Sequence, residues 1–223
     1  FCQPAAEARD APDIMAEAIH HRRRLHAVEP PTAPLRAPAE ELLFTTNALI
    51  CPPLDPDSPH VPADHRAAGR RFADSQQAFW YDHPIPLDAR PEENEILHGL
   101  ASLGTALEAE CADGTLPPDA RIDLVMSVSV THPGMEATGF AYVRDIINRH
   151  LKLRHLRIFL FDEERCRAMV RCLCPGDSAA AEVFGVNGAY GRHYSFLKAI
   201  LLVWRIAVNP KARFTLSLIH ISE

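Results

Sequence analysis

Nine consecutive residues, Ile122 to Val130 (IDLVMSVSV), constrain this chain more than any other segment. Apolar and β-branched positions follow one another too closely for a strand with one wet face, and the run is typical of a buried strand in a parallel sheet. Thr131-His132-Pro133-Gly134 then makes a turn, after which Phe140, Val143 and Ile147 share one helical face. Leu156 to Phe161 follow as a second buried strand. Strand, helix and strand within about 40 residues predict a right-handed βαβ unit.

The rest of the chain divides by proline. Of 19 prolines, 16 lie in residues 1–118, and only Pro133, Pro175 and Pro210 come later. Proline removes a backbone donor and restrains its predecessor, so Pro30 to Pro38 and Pro52 to Pro62 are expected as extended loops. Ala11 to Val28 reads as a helix carrying the basic run HHRRRLH, while Glu41 to Ile50 is an element whose type the sequence leaves open. A clearer helix follows Pro91. Glu92, Glu93 and Glu95 suit its positive end, Ile96, Leu100, Leu103 and Leu107 form its apolar stripe, and Asp113-Gly114 ends it.

Beyond the βαβ unit, Glu163 to Cys172 and Ala179 to Phe184 read as short helices, followed by the glycine-spaced block GVNGAYGRHYSFLK at Gly185 to Lys198. A longer helix starts near Arg192 with Tyr194, Leu197, Leu201, Trp204 and Val208 on one face, and Asn209-Pro210 stops it. Lys211 to Leu216 begins a third strand. The expected fold is therefore α/β, a mostly parallel, Rossmann-like sheet incomplete at the C-terminus, with an irregular proline-rich N-terminal region. The divisions are 1–118 proline-rich, 119–215 α/β half-domain, and 216–223 a non-native tail. That tail, LSLIHISE, matches at all eight positions the translation of a transposon adapter used in sequencing libraries, so a truncated, inactive piece of a larger parent is expected.

Composition removes several classes. Lys and Arg total 23 against 29 Asp and Glu, a net charge of -6, which gives no general attraction to nucleic acid. The longest apolar run, Ala199 to Val208, is about half the roughly 20 residues of a membrane span. Six cysteines are too few for a disulfide scaffold in 223 residues, so a cytoplasmic setting is expected. Cys166, Cys172 and Cys174 lack the paired spacing of a zinc knuckle and read as buried free thiols, with no metal.

In an open parallel sheet, ligands bind beyond the carboxyl ends of the strands, here the Thr131 to Met135 loop and the Asp162-Glu163-Glu164 turn. Ordinary strand-ending turns are the competing reading. Neither a dinucleotide fingerprint nor a P-loop is present. The glycines of the 185–198 block permit close backbone approach, and Arg192, His193 and Lys198 at a helix start suit a diphosphate. Phe79-Trp80-Tyr81-Asp82-His83-Pro84 gathers aromatics with polar groups, as sugar sites do, although a packed connector has the same composition.

The order of buried strand, turn, helix, second strand ending in acids, Gly/Asn/Arg/Lys block, helix and third strand resembles the N-terminal half of nucleotide-sugar glycosyltransferases of the GT-A type, over about residues 120–216. The resemblance implies that Thr131, His132, Asp162 and Glu163 contact a nucleoside, and that Arg192 and Lys198 contact phosphate. Trp80, Tyr81, Asp82 and His83 are the candidates for a sugar. A nucleotide-sugar donor, an unknown acceptor and, in the intact parent, a divalent cation (Mn or Mg) are implied. The family's D-x-D motif would follow the third strand, where this chain has Ser217-Leu-Ile-His. A Rossmann-like sugar-phosphate or nucleotide hydrolase and a non-catalytic interaction module are the alternatives.

Overall fold

The computed structural model describes residues 35–77, 83–177 and 205–217. The chain divides into two compact units, Phe1–Leu35 and Arg36–Glu223, and the description below concerns the second. The helix expected at Ala11 to Val28, the segment 179–204 and Trp80 to Asp82 lie outside the described residues.

In chain order the described elements are α1 (Pro38–Glu41), β1 (Leu42–Cys51), α2 (Arg66–Ala73), β2 (Ile85–Pro86), α3 (Glu95–Ala112), β3 (Ile122–Val130), α4 (Glu136–His150), β4 (Leu156–Phe161), α5 (Glu163–Leu173), α6 (Arg205–Val208) and β5 (Phe214–Ser217). Short 3-10 turns at Ala63–His65 and Pro91–Glu93 precede α2 and α3. All strand pairings are parallel, in the order β2-β1-β3-β4, with β5 also on β1. The two edge pieces divide β1 between them: β5 pairs Leu42 to Thr45, and β2 pairs Ile50 and Cys51.

The strand, helix and strand of the βαβ unit are present with parallel pairing, but β4 ends the described sheet and only its Leu156 and Phe161 are buried, not the whole strand as expected. Every residue of β3 is buried, as the continuous apolar run requires, and Leu124 pairs with Ile158 while Met126 pairs with Leu160. The helix after Pro91 begins behind Asn94, whose side-chain oxygen accepts from the backbone N–H groups of Ile96 and Leu97. Ile96, Leu97, Leu100 and Leu107 are its buried stripe. The segment left open by the sequence, Glu41 to Ile50, falls almost wholly in the ten-residue strand β1 (Leu42–Cys51), with Glu41 ending α1; β1 is central in the sheet and paired with β3 over eight positions, from Leu43↔Asp123 to Ile50↔Val130. The proline-rich region thus supplies a strand of the sheet itself.

One face of the sheet carries the main core. Ala48, Ile50, Leu124, Met126, Val128 and Val130 pack there with Leu97 and Leu100 of α3 and Tyr142, Val143 and Ile146 of α4. Gly139 allows α4 to lie close, since a Cβ there would stand 2.7 Å from a methyl of Val130. A smaller cluster of Leu43, Val125, Phe161, Cys166 and Ala212 brings in α5 and the turn before β5. The thiols differ from the expectation: Cys166 is buried, but Cys172 and Cys174 are exposed where α5 ends in the turn around Pro175-Gly176.

Candidate functional site

β1, β3 and β4 point their carboxyl ends to one edge. Ile50 pairs with Val130, whereas β4 stops at Phe161 opposite Ser127, so β4 leaves the sheet before β3 does. Thr131 and His132 continue from β3 and Asp162 and Glu163 from β4, which brings four of the sequence candidates to the same edge.

All four are turned inward. The Thr131 N–H donates to the Ile50 carbonyl at 3.0 Å, and its hydroxyl stands 2.7 Å from Nδ1 of His132. Nε2 of His132 is 3.2 Å from the Ser75 carbonyl. A carbonyl only accepts, so in the neutral ring it is Nε2 that carries the proton, leaving Nδ1 to accept from Thr131. The imidazole therefore ties the end of β3 to the residue just past α2. Asp162 is the N-cap of α5: Oδ1 accepts from the Arg165 backbone N–H at 2.9 Å, and Oδ2 from its guanidinium at 2.5 Å. Arg165 in turn lies over the ring of Phe140, 3.7 Å from its centroid. Glu163 accepts from Nε of Arg167 at 2.8 Å. Burial follows this wiring, with Thr131 at 0%, Asp162 at 3% and Glu163 at 8% exposed.

Of the other candidates, His83 is exposed with a positive φ of 55°, while Trp80, Tyr81, Asp82, Arg192 and Lys198 fall outside the described residues. No reading of local sequence singled out Asp88, yet it organises the loop after β1. Its two carboxylate oxygens accept from the backbone N–H groups of Leu54 at 2.9 Å and Asp55 at 3.2 Å. Beside it opens a cavity of about 430 Å³ lined by Leu54, Ser58, His60, Pro86, Arg90 and Glu93. At the end of β1, burial, reinforced by the Asp88 carboxylate, pushes the Cys51 thiol up to about 12, which suppresses its thiolate at neutral pH.

Among the described residues, no group of three or more His, Cys, Asp or Glu is placed to hold a metal ion. The described residues do not fit the divalent cation implied by the resemblance. Among the described residues, no helix is long and apolar enough to cross a membrane. Compared with known proteins, the chain matches no family model, no curated protein and no solved structure.

Proposed function

We propose that this chain carries the donor-binding part of a nucleotide-sugar-dependent glycosyltransferase. The observation that supports this reading is the position of Asp162: an acid directly after β4, beside the end of β3, in a parallel sheet whose strand order reverses at β1. Ligands of such sheets sit outside the carboxyl ends near a reversal of this kind. In this reading Asp162 keeps Oδ1 on the α5 backbone and turns Oδ2 from Arg165 to a ribose hydroxyl or base N–H of the donor. Arg165, whose side chain is about half exposed, swings from Asp162 to the diphosphate. Thr131 and His132 hold the floor in place, and Arg192 and Lys198 add phosphate contacts.

The partners in this proposal are the donor and an unassigned acceptor, and the Mn²⁺ or Mg²⁺ of such chemistry would be held by residues other than the described ones. A cytoplasmic setting belongs to the same reading, supported by the free thiols of Cys51, Cys111, Cys166, Cys172 and Cys174.

Calorimetric titration of the 223-residue chain with UDP-, GDP- and ADP-sugars, each with Mn²⁺, tests it. One nucleotide class is expected to bind saturably, and Asp162→Asn, which keeps the capping oxygen, is expected to weaken that binding at least tenfold. Folded protein that binds none of the three, or binds equally well as Asp162→Asn, overturns the assignment.

A further inference from the structure

We propose that a second cavity, away from the carboxyl edge, is a binding site for a small phosphomonoester with an apolar body. The cavity, about 360 Å³, opens between the loop Pro59 to Ala63, the first turn of α3 and the last turns of α4. That volume suits a ligand the size of one substituted ring.

Its inner wall is apolar and preformed. Val61, Leu97, Ile146 and Tyr142 contribute to it, all of them buried. The wall is also fixed: Nδ2 of Asn94 donates to the Tyr142 hydroxyl at 3.2 Å, tying the cap of α3 to the middle of α4. A ring sliding over this surface would displace water from apolar groups without reorganising them.

The mouth is basic. Arg66 and Arg149 carry its charge, His60 and His150 line it beside them, and no Asp or Glu does. Of the fifteen described arginines, seven (Arg70, Arg90, Arg144, Arg157, Arg165, Arg167 and Arg213) have a carboxylate within 4.0 Å. Among the described residues, no carboxylate pairs with Arg66 or Arg149. Arg66 places only Nε in a hydrogen bond, to the Val61 carbonyl at 3.2 Å, which leaves its two terminal nitrogens for a ligand. Basic side chains in the last turn of α4 answer the negative end of that helix, and this accounts for Arg149 and His150 being there. It does not account for His60 and Arg66, which arrive from a different segment and line the same opening.

Two guanidinium charges match a dianionic head better than a monoanionic one, since each fork can take two oxygens of a phosphate, and the imidazoles beside them can add hydrogen bonds. The apolar wall requires a body attached to that head. The assignment does not depend on the donor reading, because none of these residues belongs to the Thr131–Asp162 edge.

Phenyl phosphate, inorganic phosphate and phenylacetate are the probes, titrated calorimetrically into the 223-residue chain. Phenyl phosphate is expected to bind saturably, with each of the other two at least tenfold weaker. Arg66→Gln combined with Arg149→Gln, both at exposed positions, is expected to weaken phenyl phosphate at least thirtyfold while the protein stays folded, its thermal midpoint lowered only by the lost Arg66–Val61 hydrogen bond. Arg171→Gln, an exposed arginine outside the cavity, is expected to leave it unchanged. Absence of saturable phenyl phosphate binding, or equal binding by the double variant, overturns the site. Equal binding of phenylacetate overturns the assignment of phosphate as the head.

Discussion

Asp162 holds Arg165 twice, once by its backbone N–H at 2.9 Å and once by its guanidinium at 2.5 Å. The first contact is a helix cap, worth about 1 kcal/mol. The second ends on a half-exposed side chain, so solvent limits it to about 0–1 kcal/mol. Asp162→Ala is therefore expected to lose about 1–2 kcal/mol in urea unfolding. Asp162→Asn, which retains the capping oxygen, should lose less than about 1 kcal/mol. Equal losses for the two would show that the charge, not the cap, dominates.

His132 makes a comparable tie over a longer distance in sequence, from Thr131 to the carbonyl of Ser75. His132→Ala leaves the buried Thr131 hydroxyl without this partner, while the carbonyl of Ser75, an exposed residue, is left to water. The expected cost is about 1–3 kcal/mol. Hydrogen exchange localises it: the amides at the end of α2 should lose protection before those of β4.

Two helix glycines should respond in opposite directions to alanine. At Gly139 the new methyl would meet Val130 Cγ1 at 2.7 Å and Ile50 Cβ at 3.5 Å, both on β-branched side chains with little room to turn. Overpacking of about 1–3 kcal/mol outweighs the helix propensity gained, about 1 kcal/mol. At Gly104 the neighbour is Cδ2 of Leu153 at 3.0 Å, the far end of a flexible side chain. Gly104→Ala should be neutral or raise stability by up to about 1 kcal/mol, whereas Gly139→Ala should lower it. Thermal midpoints of the two variants decide the matter.

What the sequence disclosed of the fold was set by burial pattern. β3 and β4 were legible because continuous apolar runs have few homes outside a parallel sheet, and α3 because its stripe and acidic start agree. β1 was not, since Thr45-Thr46-Asn47 interrupts its apolar run and nothing local says that β3 will cover one edge and β2 with β5 the other. Its place in the sheet comes from pairings more than 30 residues apart in sequence, such as Ile50 with Ile85.

The site divides in the same way. Strand ends locate the carboxyl edge, so Thr131 and Asp162 could be nominated together. Their inward wiring depends on partners that the fold supplies: Ser75 reaches His132 from the far end of α2, and Arg165 is positioned by the first turn of α5. The basic cavity was invisible for a stronger reason. His60 lies in a proline-rich loop, Arg66 at the start of α2, and Arg149 and His150 at a helix end more than 80 residues later, and no spacing rule connects them.

The last prediction concerns alkaline pH. Burial pushes the Cys51 thiol up from an ordinary 9.0 to about 12, and the Tyr142 hydroxyl from 10.0 to about 12. The Asp88 carboxylate adds to both, and the Asn94 hydrogen bond partly offsets the shift at Tyr142. Below pH 9 the folded and unfolded states both keep these protons, so these groups make no pH-dependent contribution. Between the ordinary and the folded values, the unfolded chain releases protons that the folded chain retains, and rising pH then favours unfolding. The urea midpoint should fall progressively from about pH 9 toward pH 12. Cys51→Ala combined with Tyr142→Phe should start from a lower midpoint, because the Asn94 contact is gone, yet show a shallower fall. The same thiol should react with a maleimide at pH 8 at least about tenfold more slowly than Cys172 or Cys174, which are exposed. A double variant with an undiminished slope, or a Cys51 as reactive as those two, would contradict the burial on which the argument stands.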